Sequence, residues 1–140
     1  MKLNDYVKWT GNTCARLGSP GDDITHMIFG IITETGELTD IFKKSMAYKK
    51  EVDWVNVKEE LGDLMFYISS FCRINYLDLE EIIETNVDKL EARYPEKFTE
   101  YHALNRNLEK ERAILETKEV ELPDSRVILE SKEPWNPKSA

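Results

Sequence analysis

Residues 31 to 41 run Ile31-Ile32-Thr33-Glu34-Thr35-Gly36-Glu37-Leu38-Thr39-Asp40-Ile41, and they put an acid where a helix core belongs. From Met27, apolar residues recur at Ile31, Leu38 and Ile41 in steps that follow one helical face, and Glu34 fills the gap in that series. A later segment repeats the oddity. Val57, Leu61, Leu64, Ile68, Phe71 and Cys72 make a helical apolar pattern, and Glu60 stands in register between Val57 and Leu64. Each of these glutamates has an acidic companion three residues on, Glu37 for Glu34 and Asp63 for Glu60. That spacing sets the side chains on adjacent turns, with Cβ atoms about 5–6 Å apart.

Single ExxE or ExxD pairs are common on solvated helix faces. Two pairs, each with its first acid at a core position of successive helices, predict that four carboxylates meet between the helices. Leaving such charges unpaired in an apolar setting costs several kcal/mol apiece even after relaxation, and neighbouring anions repel, so the cluster calls for cations. Cysteines and clustered histidines are absent from the pattern, so the oxygen donors favour a hard divalent ion, Mg²⁺ or Mn²⁺.

Around this pair of helices the pattern is all-α. Leu3, Val7, Thr10, Cys14 and Leu17 predict a first helix ended by Gly18-Ser19-Pro20-Gly21. The second is expected to start after Asp22 or Asp23, either able to cap it, and to run to about Tyr48, with Lys43 and Lys44 suiting its negative end. The third is expected from an Asp53 cap to about Tyr76. A fourth opens at Asp78-Leu79-Glu80-Glu81, carries Ile83, Val87, Leu90 and Tyr94, and stops at Pro95. Tyr101, Leu104, Leu108 and Leu115 predict an exposed or kinked fifth helix. The expectation is a four-to-five-helix bundle over residues 1–116, followed by a C-terminal arm over 117–140. In that arm Val120-Glu121-Leu122 and Val127-Ile128-Leu129 flank Pro123-Asp124-Ser125 and would form an extended segment or small hairpin.

With 140 residues, 41% of them hydrophobic, the chain suits one domain. A formal charge of −8 argues against a phosphate-backbone footprint, so polymeric nucleic acid is not an expected partner. Cys14 and Cys72, the only cysteines, lack metal-ligand spacing and are expected to remain thiols. No signal-like apolar run occurs, and a soluble cytoplasmic protein with no membrane contact is expected. Asp23-x-x-His26 and the tryptophans Trp9, Trp54 and Trp135 are read as capping or packing groups. Gly36 and Gly62, inside helices, hint at close approach between helices or to a ligand.

Taken together, the blocks resemble the MazG-like, all-α nucleoside triphosphate pyrophosphohydrolases. His26 to Asp40 is similar to that family's first acidic block and Asn56 to Asp63 to its ExxD block. Asn86-Val87-Asp88-Lys89-Leu90-Glu91-Ala92-Arg93-Tyr94-Pro95 resembles its phosphate-binding segment. The resemblance implies that Glu34, Glu37, Glu60 and Asp63 hold Mg²⁺ and serve catalysis, and that Lys89 and Arg93 meet the triphosphate, with Asn86 on the same helical face. It further implies cleavage of a nucleoside triphosphate to monophosphate and pyrophosphate, and assembly as a homodimer or a homotetramer, a dimer of dimers. Thr35 departs from the related dimeric dUTPases, in which an extra acid follows the first metal glutamate. Two other readings use the same acids. A di-iron carboxylate bundle needs Glu-x-x-His pairs, and no such pair occurs. A non-enzymatic helical adaptor would use the acids only to set register or partner choice.

Overall fold

The computed structural model describes residues 1–117. Helix α1 spans Leu3–Trp9 and continues into a single 3₁₀ turn at Thr10–Asn12. It stops well before the expected Gly18. Thr10 explains the break: its hydroxyl donates to the Val7 carbonyl at 2.8 Å and accepts from Arg73 Nε at 3.3 Å. The following Gly11-Asn12-Thr13 run has low helix propensity, so nothing local pulls the chain back into a helix.

Helix α2 runs Pro20–Tyr48, with Pro20 at its first position and Ser19 as the cap, accepting from the Asp22 amide at 3.1 Å. The expected caps do other work. Asp23 instead accepts from the Leu17 amide at 2.7 Å and ties the incoming loop to the helix. Lys49 ends α2 in the left-handed region, φ 56°. Lys43 and Lys44 lie too far back to serve the helix terminus and pair with Asp40 at 3.5 and 2.6 Å.

Helix α3, Trp54–Ile74, begins as expected from Asp53, whose carboxylate accepts from the Val55 and Asn56 amides. Helix α4, Leu79–Arg93, begins from Asp78 in the same way through Glu80 and Glu81. The expected fifth helix is two, α5 at Glu100–Leu104 and α6 at Leu108–Glu116, because Asn107 starts a fresh helix by capping the Lys110 amide. No strand occurs among the described residues. The hairpin expected in the C-terminal arm lies outside them.

The broadest contact in the chain is between α2 and α3, while α4 packs on α6 and α1. Gly30 decides how closely α2 and α3 meet. A Cβ there would stand 2.2 Å from the Tyr67 ring, so only glycine lets that ring lie against the α2 backbone. Of the two readings of Gly36 and Gly62, close approach between helices is absent, since a Cβ at either would meet nothing within 4 Å. A small core of Val7, Cys72 and Leu79, flanked by Leu3, Ile68 and Leu77, ties α1 to the end of α3 and the start of α4. Elsewhere, large apolar side chains face outward: Phe29 and Ile32 on α2, Leu61 on α3, Ile83 and Val87 on α4. No helix among the described residues is long and apolar enough to cross a membrane. Cys14 and Cys72 are free thiols.

Candidate active site

The α2–α3 contact brings Glu34, Glu37 and Glu60 together, with one carboxylate oxygen of each within 4.8 Å of the others. Helical spacing puts Glu34 and Glu37 on one face of α2, and antiparallel packing lays Glu60 against that face. Glu60 is buried at 8% exposure, Glu34 is half-buried and Glu37 open to solvent. Burial, first, and then the negative charges of Glu37 and Glu34 push the Glu60 carboxyl above its usual range. Burial and neighbouring charge thus favour a proton, or a cation, at Glu60. Oxygens sharing one Mg²⁺ at about 2.1 Å lie no more than about 4.2 Å apart, so slight side-chain rotation fits all three to such an ion. The donor set, carboxylate oxygens alone, has the chemistry that a hard cation requires.

Asp63 does not join this group. It is exposed one turn beyond Glu60, and its charge is felt at the phenols of Tyr6 and Tyr67, both raised chiefly by burial. Next to the acids, a cleft of about 390 Å³ opens between the helices, lined by Thr33, Gly36, Glu37 and Asp40. Ile41 and Lys44 of α2, and Asn56 and Glu60 of α3, complete its wall. Sequence spacing alone does not mark Asp40 and Asn56 as site residues and reads Lys44 as serving the helix end, although each lies one helical turn from an acid or from another of the three. That spacing was the available signal.

The α4 residues stand apart from the acids. Lys89 Nζ donates to Asn86 Oδ1 at 2.6 Å, so the pair shares a face as expected. Arg93 is committed to α6: its Nε and Nη2 donate to Glu111 at 3.0 and 2.6 Å. Arg106 grips the same carboxylate through Nε at 3.3 Å and Nη2 at 2.6 Å. Two guanidinium groups hold the Glu111 carboxyl down at about 2, Arg106 contributing most, and Arg93 is raised in turn. Glu111 and Arg106 carried no signal in the sequence beyond a charged helix face. His26, expected to pack, lies edge-on to Tyr67 at 6.0 Å between centroids, and Trp54 lies edge-on to Phe42 at 6.3 Å. Trp135 falls outside the described residues.

No curated protein and no solved structure matches the chain. The family model of the MazG nucleotide pyrophosphohydrolase domain matches residues 23–98, a span that begins at the first turns of α2, contains all three converging glutamates and Asp63, and closes just beyond α4. That match covers more than half of the 140 residues, and with an all-α fold built around paired acids on α2 and α3, this chain belongs to the MazG nucleotide pyrophosphohydrolase family.

Proposed function

We propose that this protein is a Mg²⁺-dependent nucleoside triphosphate pyrophosphohydrolase that cleaves ribo- or deoxyribonucleoside triphosphates to the monophosphate and pyrophosphate, with Mn²⁺ able to replace Mg²⁺. The convergence of Glu34, Glu37 and Glu60 within 4.8 Å carries this reading, since the crowding of their charges is relieved by a divalent ion. Glu34, Glu37, Glu60 and Asp63 are the proposed metal ligands and catalytic acids, Asp63 swinging in from one turn beyond Glu60. When bound, the ion neutralises phosphate charge and lowers the pKa of a coordinated water.

The side chains do the rest. Glu34 or Glu37 steers the attacking water and accepts its proton, so that attack falls on the α-phosphorus in line with the departing pyrophosphate. Asn86, Lys89 and Arg93 bind substrate, the two cations meeting charge that builds on the leaving group. Arg93 does so with the N–H groups that Glu111 leaves over. The proposed assembly is a homodimer or a homotetramer, a dimer of dimers. It is supported by the outward-facing Phe29, Ile32, Ile83 and Val87, which a second copy would cover. The proposed work is control or cleansing of the nucleotide pool, in the cytoplasm. Residues 1–116 are proposed as the catalytic domain.

A panel of normal and modified ribo- and deoxyribonucleoside triphosphates with Mg²⁺, scored for pyrophosphate against orthophosphate, tests the reaction. Pyrophosphate is expected. Orthophosphate alone would move the cleavage to another bond and sink the reading. A helical adaptor would release neither and would show no change in melting temperature on Mg²⁺ addition.

A further inference from the structure

Among the described residues lining the acid cleft, Lys44 is the one cation, sharing the wall with Glu37, Asp40 and Glu60. We propose that Lys44 binds the phosphate chain of the substrate in this cleft and that Asp40 is the residue that positions it. This inference rests on the pyrophosphohydrolase reading above. Glu37, Asp40 and Lys44 follow one another at three and four residues down one face of α2, so the lysine reaches the cleft from the helix that supplies two of the converging acids. Its Nζ lies 2.6 Å from Asp40 Oδ2.

The pair has the traits of a holder rather than of a lock. Both side chains are substantially exposed, 59% for Lys44 and 40% for Asp40, so water can replace either partner during exchange. Asp40 also has a second cation in reach, Lys43 at 3.5 Å, and is not stranded when Lys44 turns away. A phosphate chain entering beside the acids brings negative charge into a wall that already has three carboxylates and one ammonium. A flexible lysine with three rotatable donors suits a ligand whose oxygens move as the reaction proceeds. Arg93, by contrast, has its fork engaged on Glu111, with side chains 16% and 6% exposed.

The test uses the full chain with inorganic pyrophosphate and Mg²⁺ as the probe, since pyrophosphate is the portion common to every substrate. Calorimetry should show Lys44→Gln weakening pyrophosphate binding about tenfold, with the Mg²⁺-induced rise in melting temperature kept and KM rising more than kcat falls. Lys43→Gln should leave binding unchanged. Asp40→Asn should weaken binding by about threefold, because the ammonium remains but is no longer held, and Asp40→Glu should restore most of it. If wild type responds to Mg²⁺ and binds pyrophosphate while Lys44→Gln binds it equally well, this inference is wrong and the reading of the site stands. If wild type neither responds to Mg²⁺ nor binds pyrophosphate, the reading of the site fails and takes this inference with it.

Discussion

Glu60 and Glu111 are buried to nearly the same degree, 8% and 5% exposed, yet their carboxyls move in opposite directions. Glu60, at the α2–α3 contact, is raised because burial and the charges of Glu37 and Glu34 all oppose ionisation. Glu111, between α4 and α6, is held down at about 2 because Arg106 and Arg93 grip it from two sides. Burial alone thus says little about what a buried acid is for. A carboxylate matched by cations is a fastening. One set against other carboxylates is relieved by a proton or by a cation.

The sharpest way to break this comparison is to neutralise each acid in turn. Glu37→Gln and Glu60→Gln should lower pyrophosphate release by more than roughly a hundredfold, the upper range for losing an outer metal contact, while the protein stays folded by circular dichroism. Retained activity in both would mean that the converging acids are not the site. Glu111→Gln should do the reverse. It leaves Arg93 and Arg106 beside each other without a counter-charge, and the melting temperature should fall by about 10 °C. A melting temperature equal to wild type would show that the knot between α4 and α6 contributes nothing to the fold.

A smaller effect, with a sign that differs between the two acids, should appear on titration. Glu60 is raised in the fold, so its stabilising contribution is complete below its ordinary value of 4.5 and is lost as pH rises through the raised value. Glu111 is lowered, so its contribution is complete above 4.5 and is lost as pH falls towards 2. Metal-free protein should therefore gain stability as pH falls through the raised Glu60 value and lose it again below about 4.5. Saturating Mg²⁺ should abolish the first limb, because the ion favours the ionised form, and leave the second. Thermal melts at several pH values, with Mg²⁺ or a chelator, decide it. A chelated sample that only loses stability from neutral pH downward would remove Glu60 from the picture.

The helices themselves were legible in the chain. Asp53 and Asp78 cap α3 and α4 as their position before apolar periodic segments predicts, because a cap is a contact between residues two or three apart. The first helix was overextended, since Leu3, Val7, Thr10, Cys14 and Leu17 keep helical spacing while Thr10 makes its decisive contact with Arg73, 63 residues away. Glu34 and Glu60 are legible because acids at core positions stand out against an apolar period, and Glu37 because it follows Glu34 by three residues. Asn56 gives no such signal and Lys44 reads as a helix-end cation, because a polar residue beside a cleft looks like any other polar residue until the facing helix is in place.

By itself the sequence determined what each helix displays on each face, and hence that acids would line the contact of α2 with α3; that is a matter of 3.6 residues per turn and needs no partner. Tertiary structure alone decided which displayed groups meet. The Gly30–Tyr67 contact is one place where α2 lies close against α3, and the packed pair brings Glu60 to Glu34 and Glu37 while Asp63 stays outside the trio. The fold of α6 onto α4 gives Arg93 to Glu111, 18 residues along the chain. Such pairings depend on the distance and angle between helices, which are set by side-chain packing summed over whole faces rather than by any local spacing.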